Sequence, residues 1–157
     1  MQMNNAESLL KIGDKLDNCI DEVRRVAHNL MPSSLQYGIK TALEDFAAQF
    51  PNVHFHFFGE DNRFEERAEF IIYCCANELV NNSIKHSEAK NINLQLVQDD
   101  KYLTLTVQDD GKGYDEKTIK KGLGLKNIND RITSCNGKID IVSSHKGTET
   151  TIEIKIK

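Results

Sequence analysis

The sequence predicts an α/β two-layer sandwich, a mixed β-sheet packed on helices, preceded by one long helix with a bundle-type seam. Three patterns carry that expectation. Apolar residues recur every three to four positions from Leu9 to Leu30. A second, independent helical stripe runs from about Glu66 to His86. Strand-like patterning marks five segments, one just before it and four after it, separated by turns rich in Gly, Asp and Asn.

The chain has 157 residues, 39% hydrophobic and 28% charged, with a formal net charge of -4. That is the profile of a globular domain with a real core and no global attraction for nucleic acid. Cys19, Cys74, Cys75 and Cys135 lack metal-ligand spacing, which points to reduced intracellular thiols. No apolar run reaches membrane-spanning length and the start has no signal-peptide pattern. The expectation is a soluble cytoplasmic chain, without direct membrane insertion, cut from a longer parent that can itself be membrane-anchored.

Leu9, Ile12, Leu16, Cys19, Val23, Val26 and Leu30 form a seam of about 3.5-residue period, as in coiled coils and helical bundles. Asn4 and Glu7 can form a capping box, and Pro32 ends the helix near Met31. One helix cannot bury such a seam, so a partner helix is expected from outside the chain. His28 sits away from the seam and reads as surface. After a turn at Pro32-Ser33-Ser34, Ile39, Leu43 and Phe46 mark a short helix ending before Pro51. Val53 to Phe58 alternates as a strand, with His54 and His56 on one face and no third metal ligand signalled.

The helix from Glu66 to His86 puts Ile72, Ala76, Leu79, Val80 and Ile84 on its apolar side and Glu78, Asn82 and Lys85 opposite, with His86 at the margin. Strands follow at Asn91 to Val97 and Tyr102 to Gln108, where Leu103, Leu105 and Val107 give the second one covered face. A polar stretch, Asp115 to Lys121, leads to a helix running to about Ser134. Strands at Lys138 to Ser143 and Thr148 to Ile156 close the chain.

Chemistry-bearing residues fall at the ends of these elements. Glu78 and Asn82 offer a carboxylate and an amide oxygen on successive turns, suited to a hard divalent cation and the phosphates it neutralises. Asp109-Asp110-Gly111-Lys112-Gly113 places a carboxylate at a strand end, able to accept from an exocyclic amino group, above glycines that let the backbone turn closely. A calcium loop would need a ladder of ligands and a closing Glu that do not follow. Gly122-Leu123-Gly124-Leu125 enters a helix with free backbone N–H groups for phosphate, and Lys120, Lys121 and Lys126 add charge. Gly147-Thr148 offers another N–H and a hydroxyl. Each signal alone is weak.

In this order the motifs resemble the ATP-binding domain shared by sensor histidine kinases, the ninety-kilodalton heat-shock chaperones, type II topoisomerases and mismatch-repair ATPases, the Bergerat fold. They are most similar to two-component sensor kinases of the nitrate/nitrite and degradative-enzyme sensor type. There Glu78, Asn82 and His86 match the N-box, and Leu30-Met31-Pro32-Ser33-Ser34-Leu35 with Gly38-Ile39 and Ala42-Leu43 looks like the junction between dimerisation helix and catalytic domain. The resemblance covers nearly the whole chain and divides it at 1–34 and 35–157. It implies ATP and Mg²⁺ as cofactors. Asn82 would coordinate the Mg²⁺, Glu78 would orient or activate around it, and Lys85 and His86 would contact phosphate. Asp109 would accept from the adenine amino group over Gly111 and Gly113, with Thr148 supporting it. Asp115 to Lys121 would be a short lid, and Lys121, Gly122, Gly124 and Leu125 would close on the nucleotide.

The phosphoacceptor Leu-His-Asp type motif of these kinases is absent from this sequence, and so is a recognisable phenylalanine box. By position the first helix looks like the second dimerisation helix. The resemblance therefore implies a catalytic fragment whose partners are an upstream phosphoacceptor helix, the second subunit of a parent homodimer, and a response regulator. It would not phosphorylate itself. Two other readings share the nucleotide site: an anti-sigma-factor type serine kinase, and an interaction module that binds ATP without phosphotransfer.

Overall fold

A computed structural model of the chain describes residues 32–60, 62–114 and 123–156, with Leu123 described in its backbone only. The helix expected over 9–31, with its seam and His28, lies outside the described residues. So do Asp115 to Gly122, including Lys120 and Lys121. By its contacts the chain divides into two compact units, Met1–Pro32 and Ser33–Lys157.

The second unit begins with a 3₁₀ helix, Ser33–Tyr37, where a simple turn was expected. The i→i+3 bond from Gly38 N–H to the Leu35 carbonyl (3.0 Å) closes it, the usual form of a short connector. It leads into α1 (Ile39–Ala47), whose Ile39, Ala42, Leu43 and Phe46 are buried. Strand β1 (Val53–Phe58), helix α2 (Glu66–Asn82), strands β2 (Ile92–Gln98) and β3 (Tyr102–Asp109), helix α3 (Leu123–Thr133), and strands β4 (Lys138–Ser144) and β5 (Gly147–Lys155) follow.

The strands form one sheet in the order β1-β2-β3-β5-β4. It is mixed, as expected: β1 and β2 pair parallel around the α2 crossover, and the other neighbours are antiparallel. Register sets Leu96, Leu105 and Ile152 side by side across three strands, each fully buried. The sheet's other face carries half-buried or exposed residues such as His54, Gln95, Thr106 and Thr151. Ile72, Ala76 and Val80 of α2 and Ile128 and Ile132 of α3 cover the apolar face, closing the two layers. The first turn of α2 carries Glu66 and Glu69, favourable against the positive end of the helix dipole.

One expectation fails at the end of α2. The α-helix stops at Asn82 and a π turn spans Ser83–Ser87. Ile84, assigned from sequence to the apolar stripe, is instead 39% exposed, and Ser83 and Ser87 are buried in its place. The geometry explains why. At about 100° per residue Ser83 lies roughly 20° from Ala76 around the helix, and Ile84 roughly 80°. The core face therefore continues through Ser83, and the wider π turn carries it on to Ser87.

Candidate functional site

The site is built where α2, the end of β3 and the start of α3 meet. Glu78 and Asn82 stand one turn apart on α2, both half-buried. Gly124, in the first turn of α3, comes directly against them. A Cβ at Gly124 would collide with the Glu78 carboxylate oxygen Oε1 and lie 3.6 Å from Asn82 Nδ2. Residues more than 40 positions apart are thus in near contact, and only glycine lets α3 approach so closely. Leu125 packs partly buried against the core, and Lys126 is exposed.

Asp109 ends β3 and is 5% exposed. Its Oδ2 accepts from the Ser83 hydroxyl at 2.7 Å, and its Oδ1 accepts from the Gly111 N–H at 3.0 Å. Ser83 was not singled out from sequence. Its signal was legible, a hydroxyl on the apolar stripe of α2, because a buried polar group must find a partner. Thr148, expected to support Asp109, is its cross-strand neighbour in the β3–β5 register. The Thr148 hydroxyl, however, lies 2.9 Å from Ser143 Oγ. That Oγ also accepts from the Tyr114 N–H at 2.9 Å.

The glycines after Asp109 let this loop pack on its neighbours. A Cβ at Gly111 would run into the backbone and side chain of Ser87, at the end of the π turn. Gly113 faces the Ser144 backbone with a φ of 60°. Ser87 joins the pieces: its hydroxyl donates to the Ser83 carbonyl at 2.7 Å, and its carbonyl accepts from Lys112 N–H at 2.8 Å. Asp110 adds a second tie. Its carboxylate accepts from the backbone N–H groups of Lys90 (2.7 Å) and Asn91 (2.9 Å) and from Asn91 Nδ2 (2.9 Å). The Asn91 hydrogen bonds hold its carboxyl below the ordinary range. Lys112 and Glu88 form an exposed ion pair at 2.7 Å. Lys85 and His86, on the π turn, are exposed beyond Asn82.

The donor chemistry fits a magnesium ion. Glu78 and Asn82 present hard oxygens on one helix face, beside an α3 turn that carries no side chain at Gly124. Among the described residues no group of three or more His, Cys, Asp or Glu could hold a metal by itself. An ion here would rest on one or two protein oxygens, with phosphates and water completing its shell, which is how magnesium is held in phosphoryl-transfer sites.

The profile of the histidine kinase-, DNA gyrase B-, and HSP90-like ATPases matches residues 69–157, more than half of the chain. The chain belongs to that family. This ATPase-family domain is 27% identical over 160 residues to the sensor histidine kinase ComP of Bacillus subtilis (strain 168). The match takes in 96% of this chain and 21% of ComP, so the chain spans about a fifth of that relative. Among solved structures, it is similar to the histidine kinase domain of the Erythrobacter litoralis EL346 blue-light activated histidine kinase (TM-score 0.62, 17% identity). That match covers 75% of this chain and 65% of the other. It is also similar to the Acinetobacter baumannii histidine kinase AdeS (TM-score 0.58, 17% identity), over 96% and 83% of the two chains. At such identities these structures speak for the fold alone. Together the matches make it an ATP-binding domain of the Bergerat fold, homologous to the catalytic domains of sensor histidine kinases. No helix among the described residues is long and apolar enough to cross a membrane.

Proposed function

We propose that this chain is the ATP-binding catalytic part, 35–157, and second dimerisation helix, 1–34, of a two-component sensor kinase of the nitrate/nitrite and degradative-enzyme sensor type. One observation carries the reading: Gly124 brings the first turn of α3 onto Glu78 and Asn82, so the segments expected to hold phosphate and metal converge.

In this reading Asp109, fixed by Ser83 and Gly111, accepts from the adenine amino group. The triphosphate runs toward Asn82 and Gly124. Lys85 and His86, exposed beyond Asn82, supply positive charge or hydrogen bonds, and Lys121, Gly122 and Leu125 contribute further contacts to phosphate. Mg²⁺ held by Asn82 would neutralise charge on the phosphate oxygens. Glu78 orients groups around the transferring phosphoryl.

The acceptor is a histidine on an upstream helix that this chain does not carry. Its unprotonated ring nitrogen attacks the γ-phosphorus, the bond to the β,γ-bridging oxygen breaks, ADP leaves with that oxygen, and the proton on the other ring nitrogen passes to solvent. The phosphoryl group then passes to an aspartate of a response regulator. Positioning and charge stabilisation do most of the work in such a transfer.

The test combines binding with transfer. Asn82→Ala lowers ATP affinity more in the presence of Mg²⁺ than in its absence, as read by calorimetry. Equal losses would remove the metal role. The wild-type chain, mixed with one carrying the upstream helix, phosphorylates that chain on histidine. Tight ATP binding with no transfer would favour a nucleotide-gated interaction module, and transfer to a protein serine the anti-sigma-factor type of kinase.

A further inference from the structure

The most heavily bonded cation among the described residues lies far along α2 from the nucleotide end. Arg63 precedes α2, and its side chain joins two separate pieces of the fold. On one side Nε donates to Glu69 Oε1 at 3.0 Å and Nη2 to Glu69 Oε2 at 2.9 Å, a two-pronged pair. On the other, Nη1 donates to the Gln36 carbonyl at 2.7 Å and Nη2 to the Leu35 carbonyl at 3.5 Å. Four of the five guanidinium N–H groups are thereby used. Glu69 is fully buried and also accepts from the Phe64 N–H at 3.0 Å. Gly38 leaves room for the arginine stem: a Cβ there would stand 3.3 Å from Arg63 Cδ.

This is not an ordinary surface ion pair. Burying a carboxylate is costly, and a well-packed apolar residue at position 69 would serve the core at least as well. What the pair adds is a fixed relation between two elements. The 3₁₀ helix Ser33–Tyr37 is where the compact unit begins, and Leu35 within it is buried in the core. Helix α2 carries Glu69 in its first turn and Glu78 and Asn82 toward its last. The 17-residue α2 is a stiff rod about 25 Å long. Whatever orders its far end can reach the carbonyls of Leu35 and Gln36 through one guanidinium.

We propose that Arg63 and Glu69 couple the nucleotide site to the entry segment Ser33–Tyr37, so that nucleotide binding tightens that segment and loosening it weakens nucleotide binding. Such coupling is reciprocal by thermodynamic necessity. It works without a change of shape if bound nucleotide quiets α2 and the entry segment shares its order. Lysine cannot reproduce the fork, because an ammonium is a point charge without a planar pair of donors. Arg63→Lys therefore keeps the charge and removes the geometry.

The inference rests on the nucleotide-site reading above, and the experiment separates the two. Amide hydrogen exchange of the 157-residue chain is followed with and without a non-hydrolysable ATP analogue and Mg²⁺, with affinities measured by calorimetry. In the wild type, peptides covering Ser33 to Ala42 exchange about fivefold or more slowly when nucleotide is bound, the lower end of usual coupling strengths. In Arg63→Lys that slowing falls below about twofold at saturating analogue, and affinity drops by a similar factor. A merely structural arginine would lower thermal stability and leave the nucleotide-dependent difference intact. Slowing retained in the variant overturns the proposal, as does its absence in a wild type that binds the analogue. Failure of the wild type to bind nucleotide at all removes the site reading and the coupling with it, and calorimetry identifies that case. If circular dichroism shows Arg63→Lys unfolded, Glu69→Gln carries the same comparison, since it keeps the side-chain shape and removes the charge.

Discussion

At the scale of single residues, the Asp109 carboxylate is held from two sides. An ionised carboxylate only accepts, so the Ser83 hydroxyl must donate to it, and the Gly111 N–H does so from the other side. Asp109→Asn keeps an oxygen for the Gly111 N–H and lets the Ser83 hydroxyl rotate to accept from the new NH₂, but it removes the charge and one acceptor oxygen. Calorimetry should show a loss of ATP affinity of about 10- to 100-fold for Asp109→Asn, as for hydrogen bonds to charged groups. Ser83→Ala should lose only about fivefold, because the charge stays and its orientation alone is relaxed. Unchanged affinity in Asp109→Asn would sink the adenine contact. A larger loss in Ser83→Ala than in Asp109→Asn would mean that Ser83 itself touches the ligand.

Helix α2 explains both what the sequence made legible and what it hid. Its stripe of Ile72, Ala76, Leu79 and Val80 follows directly from helical period, and all of these are buried. The polar members of the same stripe, Glu69 at one end and Ser83 at the other, were equally readable as anomalies. Their partners were not. Arg63 is six positions from Glu69, off any helical spacing, and Asp109 is 26 positions from Ser83. Only tertiary folding pairs them. The π turn was hidden for a related reason: Ser83 and Ser87 hold the core face through hydrogen bonds, Ser83 to Asp109 and Ser87 to the Ser83 carbonyl, rather than through hydrophobicity. Motif order singled out Glu78, Asn82, Asp109 and Gly124 as candidates, whereas the tie between α2 and the loop, made by Ser83, Ser87 and Asp110, appeared only in three dimensions.

That tie carries a pH prediction. The carboxyl of Asp110 is held low by its hydrogen bonds with Asn91 and Lys90, and so keeps its charge in the folded state at pH values where an unfolded aspartate is protonated. Its contribution is therefore complete above the unfolded pKa and lost as pH falls through the folded one. Amide exchange at Lys90 and Asn91, corrected for intrinsic rates, should accelerate across that acid window. In Asp110→Asn, which cannot titrate, the corrected rates should start faster and stay flat. A parallel acceleration in the variant would assign the loosening to another group.

For the whole molecule, the most informative atom is a sulfur in the middle of the core. Cys75 lies on α2, fully buried among the residues that join helices to sheet, and burial pushes its thiol up to about 12. The reactive species is the thiolate, so at pH 8 Cys75 is protected twice, by access and by protonation. Cys74, next to it, is buried and also shifted upward by burial, whereas Cys135, just after α3, is half-buried. Alkylation mapped by mass spectrometry should mark Cys135 within the time that leaves Cys75 untouched. Cys75 should be labelled only through openings that separate α2 from the sheet, so its rate should follow global stability as denaturant is added. Bound ATP should slow it further by mass action, because the ligand stabilises the state in which the helices cover the sheet. Rapid labelling of Cys75 with native circular dichroism retained would mean that α2 opens away from the core on its own. A rigid α2 could not then carry order from the nucleotide end to Arg63.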